Sequence, residues 1–133
     1  MAELPVHFPV ALVGTLLKNG GLRRVSLQES AQASERNDTW EARILSRPAG
    51  YLRDYDLLFR RVTRTLLAQG LDFGEYHPHR ALAAVLGCIS TVPADDIERM
   101  IRHRHALKYD RPLTPEPDAA RILQQLLQEP RLR

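Results

Sequence analysis

Cysteine is almost absent from this chain. Cys88 stands alone, so no internal disulfide can close and no thiolate-rich zinc cluster can assemble. Aromatic residues are sparse at 6%, with Trp40 the one tryptophan, which excludes a stacking platform of the kind that reads single-stranded RNA. No apolar run approaches the roughly 18 residues of a membrane span. Glu3 stands where a secretory leader would carry basic residues. There is no Gly-rich phosphate loop, no Gly-x-Ser-x-Gly elbow and no His-Glu-x-x-His. These absences point to a cytoplasmic, soluble, single-domain protein. Lysine is scarce as well: of nineteen cationic residues, all but Lys18 and Lys108 are arginine. The planar arginine fork suits phosphate or carboxylate, although a GC-rich genome produces the same bias.

What is present is ordinary globular material. The 133 residues are 44% hydrophobic and 26% charged, which suits one folded domain. The net charge of +3 falls well short of a protein that simply coats nucleic acid. Punctuation divides the chain into five or six helices. Residues 8–18 form the first, with Val10, Leu12, Val13, Leu16 and Leu17 apolar and Gly20-Gly21 ending it. Ser26 and Glu29 have the spacing of a capping box. The helix they open runs to Leu45, on a thin apolar stripe that includes Ala33 and Trp40, before Pro48 and Gly50 break it.

Residues 51–69 repeat Tyr51, Tyr55, Leu58, Val62 and Leu66 at three- and four-residue steps, with Arg53, Asp54, Arg60, Arg61 and Arg64 on other faces. Gly70 caps that helix. A short apolar helix follows, from His79 or Arg80 to Ile89, and Ala81, Ala83 and Ala84 give it a small-residue face. Pro93 takes the first helical position of the next, with Asp95, Asp96 and Glu98 in its first turn, and it runs to Tyr109. Thr114-Pro115 opens the last helix, buried through Ile122, Leu123, Leu126 and Leu127, and the tail from Pro130 is frayed. No stretch alternates apolar and polar residues between turn signals, so no strand is expected. The fold class is all-α, a compact up-and-down bundle with its core over residues 8–128.

Residues 99–111 carry the densest chemistry: four arginines, two histidines and a lysine in thirteen positions. On a helix Arg102, His105 and Tyr109 share one face, while Arg104 and Lys108 share another that continues Ile97 and Ile101. With Ile97 and Ile101 turned to the core, Arg104 starts from the buried side, where an unpaired guanidinium is costly. Such a helix can be a solvated cationic end that suits the macrodipole, or it can be a phosphate-binding face. The position of Arg104 favours the second.

The order Arg104-His105-Ala-Leu-Lys-Tyr109-Asp110 resembles the signature helix of HEPN domains, small all-helical bundles common in prokaryotic toxin–antitoxin, abortive-infection and CRISPR-associated systems. Three further segments resemble short bacterial members of that family. They are Leu16-Leu17-Lys-Asn-Gly-Gly-Leu22-Arg23, then Tyr55-Asp56 through Leu66-Leu67-Ala-Gln-Gly70, and His79-Arg-Ala-Leu-Ala-Ala-Val-Leu86. The resemblance spans residues 12–128. It implies a homodimer joined around residues 93–109, with Arg104 holding phosphate and with Asp56 and His79 lining a groove. Active members pair the arginine with a histidine four to six residues on and cleave RNA without metal. This chain departs there, with Tyr109 in the place of the histidine, and a phenol, which ordinarily ionises near ~10, is a poor general base at neutral pH. Arg99 and His105 meet the spacing only at about 240° of separation around the helix.

The implied function is therefore a non-catalytic RNA- or nucleotide-binding accessory protein of a defence or toxin–antitoxin pair, its partner a nucleotidyltransferase or an antitoxin. Arg99, Arg102, Arg104 and Lys108 would meet phosphate while His105 and Tyr109 orient it. The alternatives are a metal-independent ribonuclease using Arg104, His105 and Tyr109 across a dimer, and a module that docks an acidic protein. No cofactor is implied. A metal site is not expected either, because His77 with His79 and His103 with His105 do not converge and lack carboxylate or cysteine at ligand spacing. Cys88 reads as an inert core thiol. A salt bridge from Asp56 to Arg104 would be one way to satisfy that arginine, and Asp56→Asn would then destabilise the fold.

Overall fold

The computed structural model describes residues 7–109, 111 and 118–133. Six helices appear in order: α1 Val10–Lys18, α2 Leu27–Leu45, α3 Tyr51–Leu67, α4 Pro78–Ile89, α5 Ala94–Lys108 and α6 Ala119–Leu127. Two short strands, β1 Leu22–Arg24 and β2 Leu71–Phe73, lie between α1 and α2 and between α3 and α4. The molecule is all-α in class. Among the described residues no helix is long and apolar enough to cross a membrane.

Local chemistry accounts for most boundaries. The Ser26 hydroxyl accepts from the Glu29 backbone N–H at 3.1 Å, the first half of the capping box. The Glu29 carboxylate turns to the Ser26 hydroxyl and to Arg23 rather than to the Ser26 backbone. Pro78 stands at the first position of α4, one residue earlier than the sequence implies, whereas Pro93 caps α5 from outside. The Thr114-Pro115 opening expected for the last helix lies outside the described residues. From Ala119 onward α6 buries Ile122, Leu123 and Leu126, as its spacing requires.

The helix α3 is the spine of the bundle, and α2, α4, α5, α6 and β2 all pack on it. Its stripe of Tyr55, Leu58, Val62 and Leu66 is buried and meets Leu82, Val85, Leu86 and Ile89 of α4, Ile97 and Met100 of α5, and Leu123 and Leu126 of α6. Only Ala33 and Asn37 of α2 are buried, so that helix lies across the outside of α3 on a narrow contact. Cys88 is half-buried rather than in the core, and burial pushes its thiol pKa up.

Two expectations need correcting. Strands do occur: β1 and β2 pair antiparallel with Leu22 opposite Phe73 and Arg24 opposite Leu71. Each is three residues long, too short for alternation to be visible, and their partners are distant in sequence. The pair continues into a close approach in which the Gly74 N–H donates to Gly21 O at 2.8 Å. A Cβ on Gly74 would collide with the Gly20 carbonyl, so glycine is required there. The C-terminal tail is not frayed. Pro130–Leu132 forms a 3₁₀ turn, Leu132 is 0% exposed, and its carbonyl accepts from Arg64 at 3.3 Å.

Leu132 therefore belongs to the core. Leu132→Ala is expected to lower the unfolding free energy by about 2–5 kcal/mol, measured by urea denaturation. A loss below about 0.5 kcal/mol, the range of surface substitutions, would show that the tail contributes nothing to the packing.

Candidate functional site

Helical periodicity decides where the key arginine goes. On α5 the buried positions are Ile97, Met100 and Arg104, spaced by three and four residues. Arg104 is 6% exposed, and its guanidinium carbon lies 5.4 Å from the centre of the Tyr55 ring on α3. This is cation–π distance. Its Nε is buried without a hydrogen-bond partner, and no carboxylate among the described residues lies within ion-pair distance. Among the described residues the fold thus buries a permanent charge and sets a ring face against it.

Around Arg104 the helices α3, α4 and α5 leave a cavity of about 320 Å³. Lys108, one turn along α5, lines it, as do Arg60 and Asp56 from α3 and His79 from α4. Tyr55 and Phe59 complete its walls. Arg60 is held from behind by buried Asn37, whose side-chain oxygen accepts from its guanidinium at 3.3 Å and whose amide donates to its backbone carbonyl at 2.9 Å. The guanidinium lies 4.8 Å from the Trp40 ring and 5.0 Å from the Phe59 ring. Burial lowers the pKa of Arg60, but from so high a value that it stays charged.

His79 sits in the first turn of α4, with Nδ1 2.9 Å from the Tyr55 hydroxyl. Tyr55 is 1% exposed, and burial raises its pKa, Arg104 partly opposing the shift, so it remains a phenol. The direction of this bond follows the His79 tautomer: with the Tyr55 O–H donating to Nδ1, the ring proton stands on Nε2. The His79 pKa is pushed down to about 4, by burial first and then by the positive groups Arg104, Lys108 and His105, with Asp56 opposing. At neutral pH the cavity therefore offers Arg60, Arg104 and Lys108 as cations and a neutral imidazole as a further donor. With Asp56 as the one carboxylate, the lining is positive on balance.

The other residues singled out by sequence are placed as follows. Asp56 lines the cavity but does not pair with Arg104, contrary to expectation; it forms its ion pair with Arg47 at 2.9 Å. Both partners of that pair are well exposed, and such pairs contribute under about 1 kcal/mol. Asp54 binds Arg53 at 2.9 Å and accepts from Gln124 at 2.8 Å. Arg99 is exposed and meets Asp96 at 3.5 Å, and Arg102 is exposed on the outer face of α5. The rings of His105 and Tyr109 pack against each other at 4.6 Å, both exposed and outside the cavity lining. His103 turns instead to Tyr51, ring centres 4.7 Å apart. Among the described residues no group of three or more His, Cys, Asp or Glu could hold a metal ion.

Sequence reasoning missed Tyr55, Phe59, Arg60 and Asn37. Tyr55 reads as one more core position, although a buried phenol always needs a partner. Asn37 continues the Ala33 stripe by one turn, and a polar residue on a buried stripe is the signal that would have exposed its contact with Arg60. Comparison of the chain with family models, with curated proteins and with solved structures returned no match in any of the three.

The His79 shift has a measurable sign. Its folded pKa of about 4 lies below the ordinary 6.5. The neutral ring's contribution to stability is complete above pH 6.5 and is lost as pH falls towards 4, where the unfolded chain binds the proton first. Thermal melts across that window should show the wild-type midpoint falling more steeply than that of His79→Asn, whose amide keeps the bond to Tyr55 without titrating. Parallel slopes would mean the ring holds its proton with ordinary affinity.

Proposed function

We propose that the protein is a non-catalytic, HEPN-like module that binds RNA or a nucleotide through phosphate, at the cavity between α3, α4 and α5. The observation that carries this reading is Arg104, buried with a partnerless Nε beside an open cavity. A buried cation without a counter-charge weakens a fold, so its retention makes sense when the counter-charge arrives with a ligand. Arg104 and Lys108 would bind the phosphate oxygens, Arg60 would flank them, and the His79 Nε2–H would donate one more hydrogen bond. Phosphate oxygens match arginine forks in both charge and spacing.

Binding is favoured over cleavage by the acid–base groups at hand. Efficient proton transfer wants a pKa near the working pH, and His79, at about 4, lies well below it. His105 and Tyr109, the other groups suited to proton transfer, are outside the lining. The resemblance of the Arg104–Tyr109 helix to HEPN domains supplies the rest of the reading: a cytoplasmic homodimer joined around α5, working with a nucleotidyltransferase or an antitoxin.

The test is a binding and cleavage assay in excess EDTA with a labelled oligoribonucleotide and with AMP. Salt-sensitive binding without cleavage is expected. Arg104→Met should weaken that binding at least tenfold while leaving the melting temperature of the free protein unchanged or raised, because the substitution removes an uncompensated buried charge. Cleavage by the wild type that Arg104→Met abolishes would make the protein a ribonuclease. Absence of both binding and cleavage would end the phosphate reading.

A further inference from the structure

Resting on the phosphate reading, we infer that the cavity receives a terminal phosphate, a phosphomonoester dianion, in preference to the internal phosphodiester of a nucleic-acid chain. Three observations lead there. The first is charge. Three permanent cations, Arg60, Arg104 and Lys108, line the cavity against one carboxylate, Asp56, which leaves a surplus of two positive charges. A phosphomonoester carries about −1.5 to −2 at neutral pH and three terminal oxygens, whereas a diester carries a single charge and two. The monoester matches the surplus, and the diester leaves half of it unanswered.

The second observation is shape. Tyr55, 1% exposed, and Arg104, 6% exposed, are the most deeply buried residues of the cavity's lining. An internal phosphate carries a nucleoside on both sides and needs a groove with an entrance and an exit. A phosphate on the end of a ligand needs only an entrance, and a volume of about 320 Å³ suits a compact end group rather than a length of polymer.

Third, much of the remaining charge on α3 is offset by carboxylates close by: Arg53 pairs with Asp54, and Arg61 and Arg64 share Glu41. Of the arginines on this helix, Arg60 is the one that lines the cavity.

Four probes measured calorimetrically against the full chain distinguish the possibilities. They are AMP, the dinucleotide pApA with a 5′-phosphate, ApA with only its internal diester, and inorganic phosphate. AMP and pApA are expected to bind at least tenfold more tightly than ApA, and Lys108→Gln, a change at an exposed position, should narrow that gap. Inorganic phosphate binding as tightly as AMP would also support the inference and would identify the source as a free oxyanion. Equal affinity for ApA and pApA would overturn the preference for a terminal phosphate while leaving phosphate binding itself intact. Failure of all four probes to bind would overturn both.

Discussion

A guanidinium held below the surface, with no carboxylate paired to it among the described residues, is the constraint around which this molecule is arranged. The periodicity of α5 leaves Arg104 no outward route, since it follows Ile97 and Met100 on the buried stripe. It is 6% exposed, and Asp56, the carboxylate of the same cavity, is engaged by Arg47. The π face of Tyr55 lies against Arg104. That ring is fixed in turn by the bond between its hydroxyl and His79, so three helices meet at one charge. Had Asp56 closed on Arg104, the cavity would present one cation fewer.

The same helix serves the core and the cavity. Along α3, Leu58, Val62 and Leu66 pack inward, while Tyr55, Phe59 and Arg60 line the opening one turn away. Phe59 is also stacked on Phe73 at 4.6 Å, which ties the cavity wall to β2. Arg60 is steadied by Asn37 from α2, a helix that otherwise adds little to the interior. Rigidity at the site is therefore borrowed from packing, and a ligand would meet side chains already in place.

The helices were legible in the sequence because each rests on local rules. Stripes at three- and four-residue steps, the Ser26 cap and the prolines set the positions of the first five to within one or two residues, while the opening expected for the last lies outside the described residues. The strands were not legible, since three-residue segments carry no period and their pairing is decided by where α2 and α3 place their ends. The tail was misread for a related reason: Leu132 follows a proline and sits among arginines, and only the pocket beside Arg64 shows that it is an inward plug. At the site, the buried placement of Arg104 followed from helical phase alone. The groups that surround it did not, because Tyr55 looked like core, Arg60 like surface, and Asp56 like the natural partner of the nearest buried cation.

The small sheet has a dynamic consequence. Arg23 and Asp72 face each other across it although 49 positions separate them, and everything between is the α2–α3 pair. Closing so long a segment has an entropic penalty that a few backbone bonds cannot meet by themselves. The ribbon is therefore expected to depend on the packing that holds its ends together, with Leu22 and Leu71 buried in the core. Its amide protons, exchanging with deuterium as that packing opens, act as a built-in gauge of how often the helical pair comes undone.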